Sequence, residues 1–426
     1  MRYIKSYNNT ADLRTDLDNG KLDHPYVAKI NDTIDFDSIG TNWKKKYFTI
    51  IALTDGTISY SHKEGSNPMF YSINEGEWIE TTVSVDIPVS KNDMIRFKSN
   101  RGNQAYNQET FTSGGTAQFE VAGNLMSLVA GDDFATYVPN TNATGTDGDL
   151  YCSFKNFFKD CTGLTSAKNL IIKYCDNESF SNFFNGCTNL QIPPKLPATT
   201  LANSCYQNMF SNCTNLASTP ALPAETLATY CYGFMFAGCT RLMTAPELPA
   251  TTLAQSCYGD MFQSCTSLTT APALPATTLA FGCYSEMFMG CTSLITAPAL
   301  PSTTLESMCY KSMFAGCTSL TKAPELPATT LNFMSYSAMF RGCTSLTTAP
   351  MLPATTLAFG CYNSMFSNCT SLNYIKCLAT DISASSCTSN WVSGVSSTGT
   401  FVKNPNMNDW TEGANGIPTG WTVIDA

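Results

Sequence analysis

A 26-residue unit repeats through the middle of this chain and limits the folds that the chain can adopt. The period is clearest in a cysteine that precedes threonine, found at Cys161, Cys187, Cys213, Cys239, Cys265, Cys291, Cys317, Cys343 and Cys369. Because a unit of this size cannot bury its apolar face alone, successive copies must stack on one another. The spacing therefore predicts a solenoid over residues 151–377, an architecture that presents a surface rather than a reactive centre.

The order of residues within one copy predicts its local structure. Leu190 begins an extended piece that Pro194 ends, since proline cannot donate to a ladder of backbone hydrogen bonds. Leu201, Cys205 and Met209 then follow at helical spacing, so each unit is predicted to be strand, turn, short helix, turn. Stacked strands lie about 4.8 Å apart and packed helices about 8–10 Å apart, so we expect a curved α/β solenoid with a concave sheet.

The segments around the repeats have a different pattern. Short strand-like runs follow one another from Tyr47 onward with Gly, Asn and Asp between them, which is typical of a small β-sandwich. Asp55-Gly56 between two of these runs predicts a hairpin. The predicted division is an N-terminal anchoring segment over 1–45 with a short helix within 3–20, a β-sandwich-like domain over 46–135, a linker or cap over 136–150, the solenoid over 151–377 and a C-terminal cap over 378–426.

The 19 cysteines lie from Cys152 onward and follow the repeat rather than a disulfide framework. Free cysteine behaves as a small apolar side chain, so the recurring cysteines are interpreted as a buried ladder. Close turns leave sparse disulfides open. Zinc sites need clustered Cys and His, whereas His24 and His62 lie far upstream of the cysteines, so we expect no metal site.

Charge and hydropathy exclude some partners. The net charge of −9 disfavours nucleic acid, whose recognition needs a basic face, and an anionic membrane surface. No stretch approaches the roughly 20 apolar residues of a membrane-spanning helix, so we expect no membrane insertion. Residues 1–10 lack the apolar region of a secretory signal, so we expect export by another route, such as lysis with a virion.

Comparison of the copies separates constant positions from variable ones. A leucine and a tyrosine, as at Leu216 and Tyr232, recur in successive copies. They are interpreted as the frame of the repeat, meaning the side chains that hold the copies together. The alternative for the tyrosines is a stacking platform for sugars, but their place beside the apolar stripe favours frame with a solvated hydroxyl. Large apolar residues in the variable columns predict a contact patch, with drift on a solvated face as the alternative. The candidate ligand-contact residues are Tyr230, Phe281, Met308, Phe333, Met334, Arg341 and Phe359.

The sequence lacks the motifs of common enzymes. No nucleophile elbow, HExxH zinc motif, phosphate-binding loop or dinucleotide fingerprint is present. The sequence has only two histidines, which disfavours a His-based catalytic triad. Acidic residues of the repeats are scattered over unrelated columns, which disfavours the paired carboxylates of glycoside cleavage. We therefore expect no enzyme activity, no catalytic residue and no cofactor.

The unit G-C-T-S-L…L-P…C-Y-x-x-M-F-x-G-C, over about residues 151–377, resembles the BspA-like leucine-rich repeats of surface proteins in gut Bacteroides-type bacteria and in their phages. Residues 48–56 and 71–78 before the repeats, and 373–377 and 420–423 after them, resemble flanks that such proteins carry. Residues 8–13 and 25–28 are similar to N-terminal segments of phage virion proteins. Ser335 departs from the pattern because other copies have cysteine there. The resemblance implies adhesion to host surfaces and, in phages, a virion fibre or decoration role.

These observations together predict a multidomain protein in which an all-β domain precedes a curved α/β leucine-rich-repeat solenoid. We predict a non-enzymatic virion structural protein, a head or tail fibre or decoration, on the virion surface. Its N-terminal region would bind other virion proteins and its repeats a host surface glycan or protein, while a homo-oligomer stays open. The alternatives are a bacterial cell-surface leucine-rich-repeat adhesin and, more distantly, a carbohydrate-active enzyme.

Overall fold

The structure is a computed structural model that describes residues 47–63, 65–99, 110–111, 114–134, 154–172 and 175–426, with the backbone of three short strands before residue 47. The predicted linker lies outside the described residues, as does the predicted anchor apart from those strands. The strands are β1 Lys5–Tyr7, β2 Ala28–Ile30, β3 Thr33–Ile34, β4 Phe48–Ala52, β5 Gly56–Ser61, β6 Met69–Ile73, β7 Ile79–Thr81, β8 Val85–Val89, β9 Met94–Lys98, β10 Thr110–Phe111, β11 Phe119–Asn124, β12 Leu164–Ile171, β13 Tyr374–Cys377, β14 Thr400–Lys403 and β15 Thr422–Asp425.

The described part of the chain is rich in β structure and contains several sheets. The largest has six strands in the order β12-β11-β4-β9-β6-β7, and a second has the order β10-β5-β8. Two further three-stranded sheets have the orders β1-β2-β3 and β13-β14-β15. Helix is limited, within the described residues, to one α-helical turn (α1, Ser127–Ala130) and a 3-10 turn at Gly131–Asp133. The predicted helix within 3–20 is a strand at β1, and its other residues lie outside the described ones.

The first two sheets share one apolar core, but the predicted hairpin at Asp55-Gly56 is wrong. β4 pairs with β9 and β11, whereas β5 pairs with β8 and β10 in the other sheet. Every residue of β4 is buried, which is expected of a central strand with both edges occupied. The turn after β4 therefore carries the chain from one sheet to the other rather than back alongside β4.

The sequence also missed a strand that joins the β-rich region to the repeats. β12 pairs in parallel with β11, so the first repeat completes the six-stranded sheet. The ring of Phe111 stacks on Phe158 at 5.5 Å, and Phe158 stacks on Phe184 at 5.7 Å. One column of stacked phenylalanines thus runs from the β-rich region into the repeats, and both regions belong to a single core.

Each repeat has two sides, which we call the turn side and the extended side. The turn side is the segment 203–212 and its equivalents at 26-residue spacing, and the extended side is 217–226 and its equivalents. On the turn side, the N–H of Tyr206 donates to the carbonyl of Cys231 in the next copy at 3.1 Å, while the N–H of Met209 donates back to Tyr206 at 3.1 Å. Successive N–H groups alternate in this way along the whole segment.

The predicted helix in each repeat is therefore wrong. An α-helix needs every N–H to bond the carbonyl four residues back, but here alternate N–H groups bond the next copy. In addition, every fourth residue has a left-handed backbone, with φ of 52° at Ser204, 55° at Asn208 and 59° at Asn212. Apolar side chains four residues apart still share one face, because the turns also repeat every four residues.

On the extended side, successive copies meet through single-residue parallel bridges rather than continuous strands. Thr244 bridges to Thr270, and Thr270 bridges to Thr296. Pro246 and Pro249 follow in the same copy and lack the N–H that a longer ladder would require. The pairing ends before proline as predicted, but the predicted strand in each copy is wrong, because only a single residue is paired in each of these copies.

Large side chains continue the core beyond the last regular copy. Trp391 is fully buried and stacks on Tyr362 at 6.1 Å and on Trp410 at 5.5 Å. Its indole N–H donates to the carbonyl of Gly416 at 2.8 Å, so the one polar atom of the ring is satisfied. β13, β14 and β15 pair in parallel beside it.

Candidate functional site

Three of the candidate contact residues are phenylalanines exposed on the turn side. Phe281, Phe333 and Phe359 occupy the first position of their turn segments and expose 45%, 37% and 43% of their surface. The rings of Phe333 and Phe359 stack, with centroids 5.2 Å apart and an angle of 13° between their planes. The pairing follows from the sequence period, because 26 residues separate the two positions.

The second position of the turn segment carries Tyr230, Met308 and Met334, which are half-buried. Each has a left-handed backbone, with φ of 54°, 56° and 51°. Gly282 and Gly360 hold the same position, where glycine adopts this backbone without steric cost. The sequence comparison identified this column as variable but missed its backbone requirement, for which the two glycines were the available signal.

The structure brings three of the candidate residues together. Phe333, Met334 and Phe359 lie on two adjacent copies, and we call them the aromatic patch. A Cβ on Gly360 would lie 3.1 Å from Cγ of Met334, so the methionine side chain extends over the glycine of the next copy. Phe281 belongs to a copy two positions earlier, and exposed Arg341 lies at the opposite end of the turn segment that Phe333 begins.

Ser335 follows Met334 and is fully buried beside the aromatic patch. Its hydroxyl has no hydrogen-bond partner within the part of the chain that the structure describes. An unsatisfied buried hydroxyl costs about 1–3 kcal/mol, and the cysteine of other copies avoids that cost because its thiol is less polar. The copy that carries the patch is therefore less stable at this position than its neighbours.

The tyrosine column is frame, and the predicted solvated hydroxyl is wrong for several of its members. Tyr232 is 1% exposed and its ring stacks on Tyr258 at 5.9 Å. Among the described residues, the hydroxyl groups of Tyr232 and Tyr284 are buried without a hydrogen-bond partner. Burial raises the pKa of Tyr232 well above its usual range. Rings covered by their neighbours on both faces offer no platform for a sugar.

The cysteines form the predicted buried ladder. Cys265 donates its thiol hydrogen to the carbonyl of Phe236 at 3.1 Å, and burial raises the pKa of Cys265 to about 12. Among the described cysteines, Cys175 alone is not fully buried, and a hydrogen bond with Cys205 lowers its pKa. The protonated thiols of the ladder are poor nucleophiles.

A compact group of charges on the turn side spans three of the described copies. Lys311 forms an ion pair with Glu286 at 3.1 Å, and Gln263 donates from its side-chain amide to Asp260 at 2.9 Å. Burial, and next the neighbouring Glu286, raise the pKa of Asp260 to about 7. This group links three successive copies through side chains that are partly shielded from water.

Sequence reasoning missed a cavity on the extended side. A cavity of about 690 Å³ lies between two adjacent copies, lined by residues 321–327 and 347–351. Lys322, Glu325 and Met351 line it in columns that hold threonine or alanine in several other copies. The sequence shows these differences, but by themselves they indicate only that the columns vary. The cavity becomes evident only when the packing of the two copies is known.

Comparison with known proteins adds no further constraint. No group of three or more His, Cys, Asp or Glu side chains in the described ranges is arranged to hold a metal ion. None of the helices in the described part of the chain has the length and apolar character needed to cross a membrane. No protein-family model, curated protein or solved structure matches the chain.

Proposed function

We propose that the chain is a non-enzymatic adhesion protein, a leucine-rich-repeat solenoid whose turn side contacts a host surface glycan or protein. One observation carries the proposal: the constant positions of the repeat are buried, whereas the first variable column is exposed in most copies and includes the stacked pair Phe333 and Phe359. A rigid frame that displays variable side chains is the design of repeat proteins that bind through an extended surface.

The chemistry of the described residues favours binding over catalysis. On the turn side, the carboxyl group of Glu286 is held in an ion pair with Lys311 at 3.1 Å, and that of Asp260 accepts a hydrogen bond from the Gln263 amide at 2.9 Å, so both already have partners. The buried thiols are protonated, which removes them as nucleophiles.

We place the protein on the virion surface of a phage of gut Bacteroides-type bacteria, as a head or tail fibre or decoration. The resemblance of the repeats and of residues 8–13 supports this location. In this arrangement the β-rich N-terminal region binds other virion proteins and the repeats project towards the host. The runner-up is a cell-surface adhesin of the bacterium itself, which the resemblance of the repeats supports equally.

The location is tested by fractionating phage particles on a density gradient and labelling them with antibody against the repeats. We expect the chain to band with intact particles and the antibody to decorate their surface in electron micrographs. Recovery of the chain from the bacterial envelope, with unlabelled particles, would establish the runner-up instead.

The contact role is tested with the double variant Phe333→Ala/Phe359→Ala in the full chain. We expect its binding to host cells, measured by flow cytometry, to fall at least tenfold, because the exposed rings supply most of the apolar contact area. Ile295→Ala is the matched control, since it removes an exposed apolar side chain from the extended side, away from the proposed contact surface. Equal binding by the double variant and the native chain, at unchanged thermal stability, would contradict this contact site.

A further inference from the structure

The two ladders of bridges on the extended side are interrupted at one place in the stack. One ladder joins Thr270 to Thr296 and Thr296 to Lys322, and a second joins Thr304 to Thr330. Within the described residues, Lys322 forms no bridge to Thr348 of the next copy, and Thr330 forms none to Thr356. Thr348 does bridge onward to Tyr374. Each other junction between copies from Ile192 to Tyr374 keeps at least one bridge.

The turn side is intact at the same junction. The N–H of Tyr336 donates to the carbonyl of Cys361 at 3.1 Å, and that of Phe340 donates to Met365 at 2.9 Å. The rings of Phe340 and Phe366 stack at 5.7 Å. The loss of bridges is therefore confined to the extended side, and we call the surface between these two copies the cleft.

The cleft coincides with the cavity of about 690 Å³, which is within the roughly 300–1,000 Å³ of small-molecule sites. Lys322 and Glu325 line one side, and neither forms an ion pair within the described ranges. Met351 lines the other side with 51% of its surface exposed. Tyr374, 36% exposed, continues the column of Thr348 just beyond the cavity.

The backbone of the cleft disfavours a peptide as the ligand. A peptide that adds as a strand needs alternating N–H and C=O groups from the edge that it joins. Pro324, Pro327 and Pro350 line the cavity and have no N–H to donate. A nucleic acid is disfavoured as well, because one lysine and one glutamate leave the lining without net positive charge.

The remaining groups match an uncharged polyhydroxyl ligand. The hydroxyls of Thr321, Thr347 and Thr348 both donate and accept hydrogen bonds, and the Glu325 carboxylate accepts them. Proline rings and Met351 supply apolar surface for the carbon face of a sugar ring. We propose that the cleft is a binding site for a neutral oligosaccharide, separate from the aromatic patch on the turn side.

The test is binding of the full chain to an array of neutral hexasaccharides of glucose, mannose, galactose, xylose and N-acetylglucosamine, followed by calorimetry with the strongest binder. We expect one of these sugars to bind and Glu325→Ala to weaken that binding at least tenfold. Met351→Trp, which fills the cavity, should abolish it. Glu247→Ala is the matched control, because Glu247 occupies the same exposed column at a junction that keeps its bridge.

Three results would overturn the proposal: no hexasaccharide binds, binding is unchanged in Glu325→Ala and Met351→Trp, or an extended peptide from a random library displaces the sugar from the native chain. Circular dichroism and thermal unfolding of each variant show whether the fold is retained, and Glu325→Gln provides a second variant of the same shape. The contact role of the aromatic patch is tested separately, by binding to host cells. Its outcome does not depend on whether the cleft binds a sugar.

Discussion

The two sides of each repeat are held together in different ways, and the difference separates frame from function. On the turn side, backbone hydrogen bonds, stacked rings and buried thiols join every copy to the next, as Cys265 and Phe236 illustrate. On the extended side, single bridges between exposed threonines join the copies, and at the cleft those bridges are absent within the described residues. The turn side therefore supplies most of the backbone hydrogen bonds between copies.

The largest expected effect is loss of a ring from the turn-side core. Phe288 is fully buried between Phe262 and Phe314, each 5.7 Å away. Phe288→Ala should lower the free energy of unfolding by about 3–5 kcal/mol, because it removes apolar contacts and leaves a cavity. Guanidinium unfolding followed by circular dichroism measures the change.

The matched change on the extended side is Thr270→Ala, which should alter the free energy of unfolding by less than about 0.5 kcal/mol because the side chain is exposed. Similar losses for the two variants would mean that both sides contribute equally to the frame, against the comparison drawn above.

A smaller effect tests the left-handed positions that distinguish the turns from a helix. Asn208 has φ of 55°, a conformation that a β-branched side chain adopts at a cost of about 1–2 kcal/mol. Asn208→Val should therefore destabilise the fold, whereas Asn208→Gly should be tolerated. If valine were as stable as glycine in thermal unfolding, the segment would be helical after all.

A pH-dependent effect tests the charge group that links three copies. The pKa of Asp260 is raised to about 7 in the folded chain, against about 3.9 for an unfolded aspartate. The folded state thus binds the proton more tightly, so the stability that this group contributes is highest below about pH 4, falls as the pH rises towards 7, and levels off above that. Asp260→Asn should remove this part of the pH dependence.

Thermal unfolding of the native chain and of Asp260→Asn from pH 4 to pH 8 measures the difference between them. Glu286→Gln should move the loss to lower pH, since it removes the neighbouring carboxylate that helps to raise the Asp260 pKa. Parallel stability curves for the native chain and Asp260→Asn would show that Asp260 titrates as an ordinary surface acid.

The smallest perturbation is labelling of native thiols, which leaves the fold intact. Among the described cysteines, Cys175 should react first with iodoacetamide, because it is partly exposed and its pKa is lowered, whereas the ladder is buried. Mass spectrometry of tryptic peptides locates the label, and Cys175→Ser is the control. Early labelling of Cys265 would show that the ladder opens to solvent.

The period of the sequence was enough to predict which residues are buried in the stack. Leu216, Tyr232 and Cys265 recur without exchange in neighbouring copies, and each is fully or nearly fully buried. The local structure was harder, because apolar residues four apart, such as Cys205 and Met209, fit both a helix and turns that repeat every four residues. Hydrogen bonds between copies decide between the two, and these depend on contacts 25 residues apart.

The candidate site was also predictable only in part. The stacking of Phe333 on Phe359 follows from their spacing, and their exposure follows from their variable column. The cleft was not predictable, because Lys322 and Met351 look like ordinary surface variation until the missing bridges between their copies are seen. Likewise, the hairpin at Asp55-Gly56 failed because the edges of β4 are occupied by strands distant in sequence.

Hydrogen exchange of the full chain, followed by mass spectrometry, tests the difference between the two sides most directly. Backbone amides of the turn segment 333–342 should exchange slowly, because they donate to the next copy or back within the turn. Amides of 321–330, on the extended side of the same copy, should exchange much faster. Equal protection of these two segments would contradict the account, since both sides would then be bonded alike.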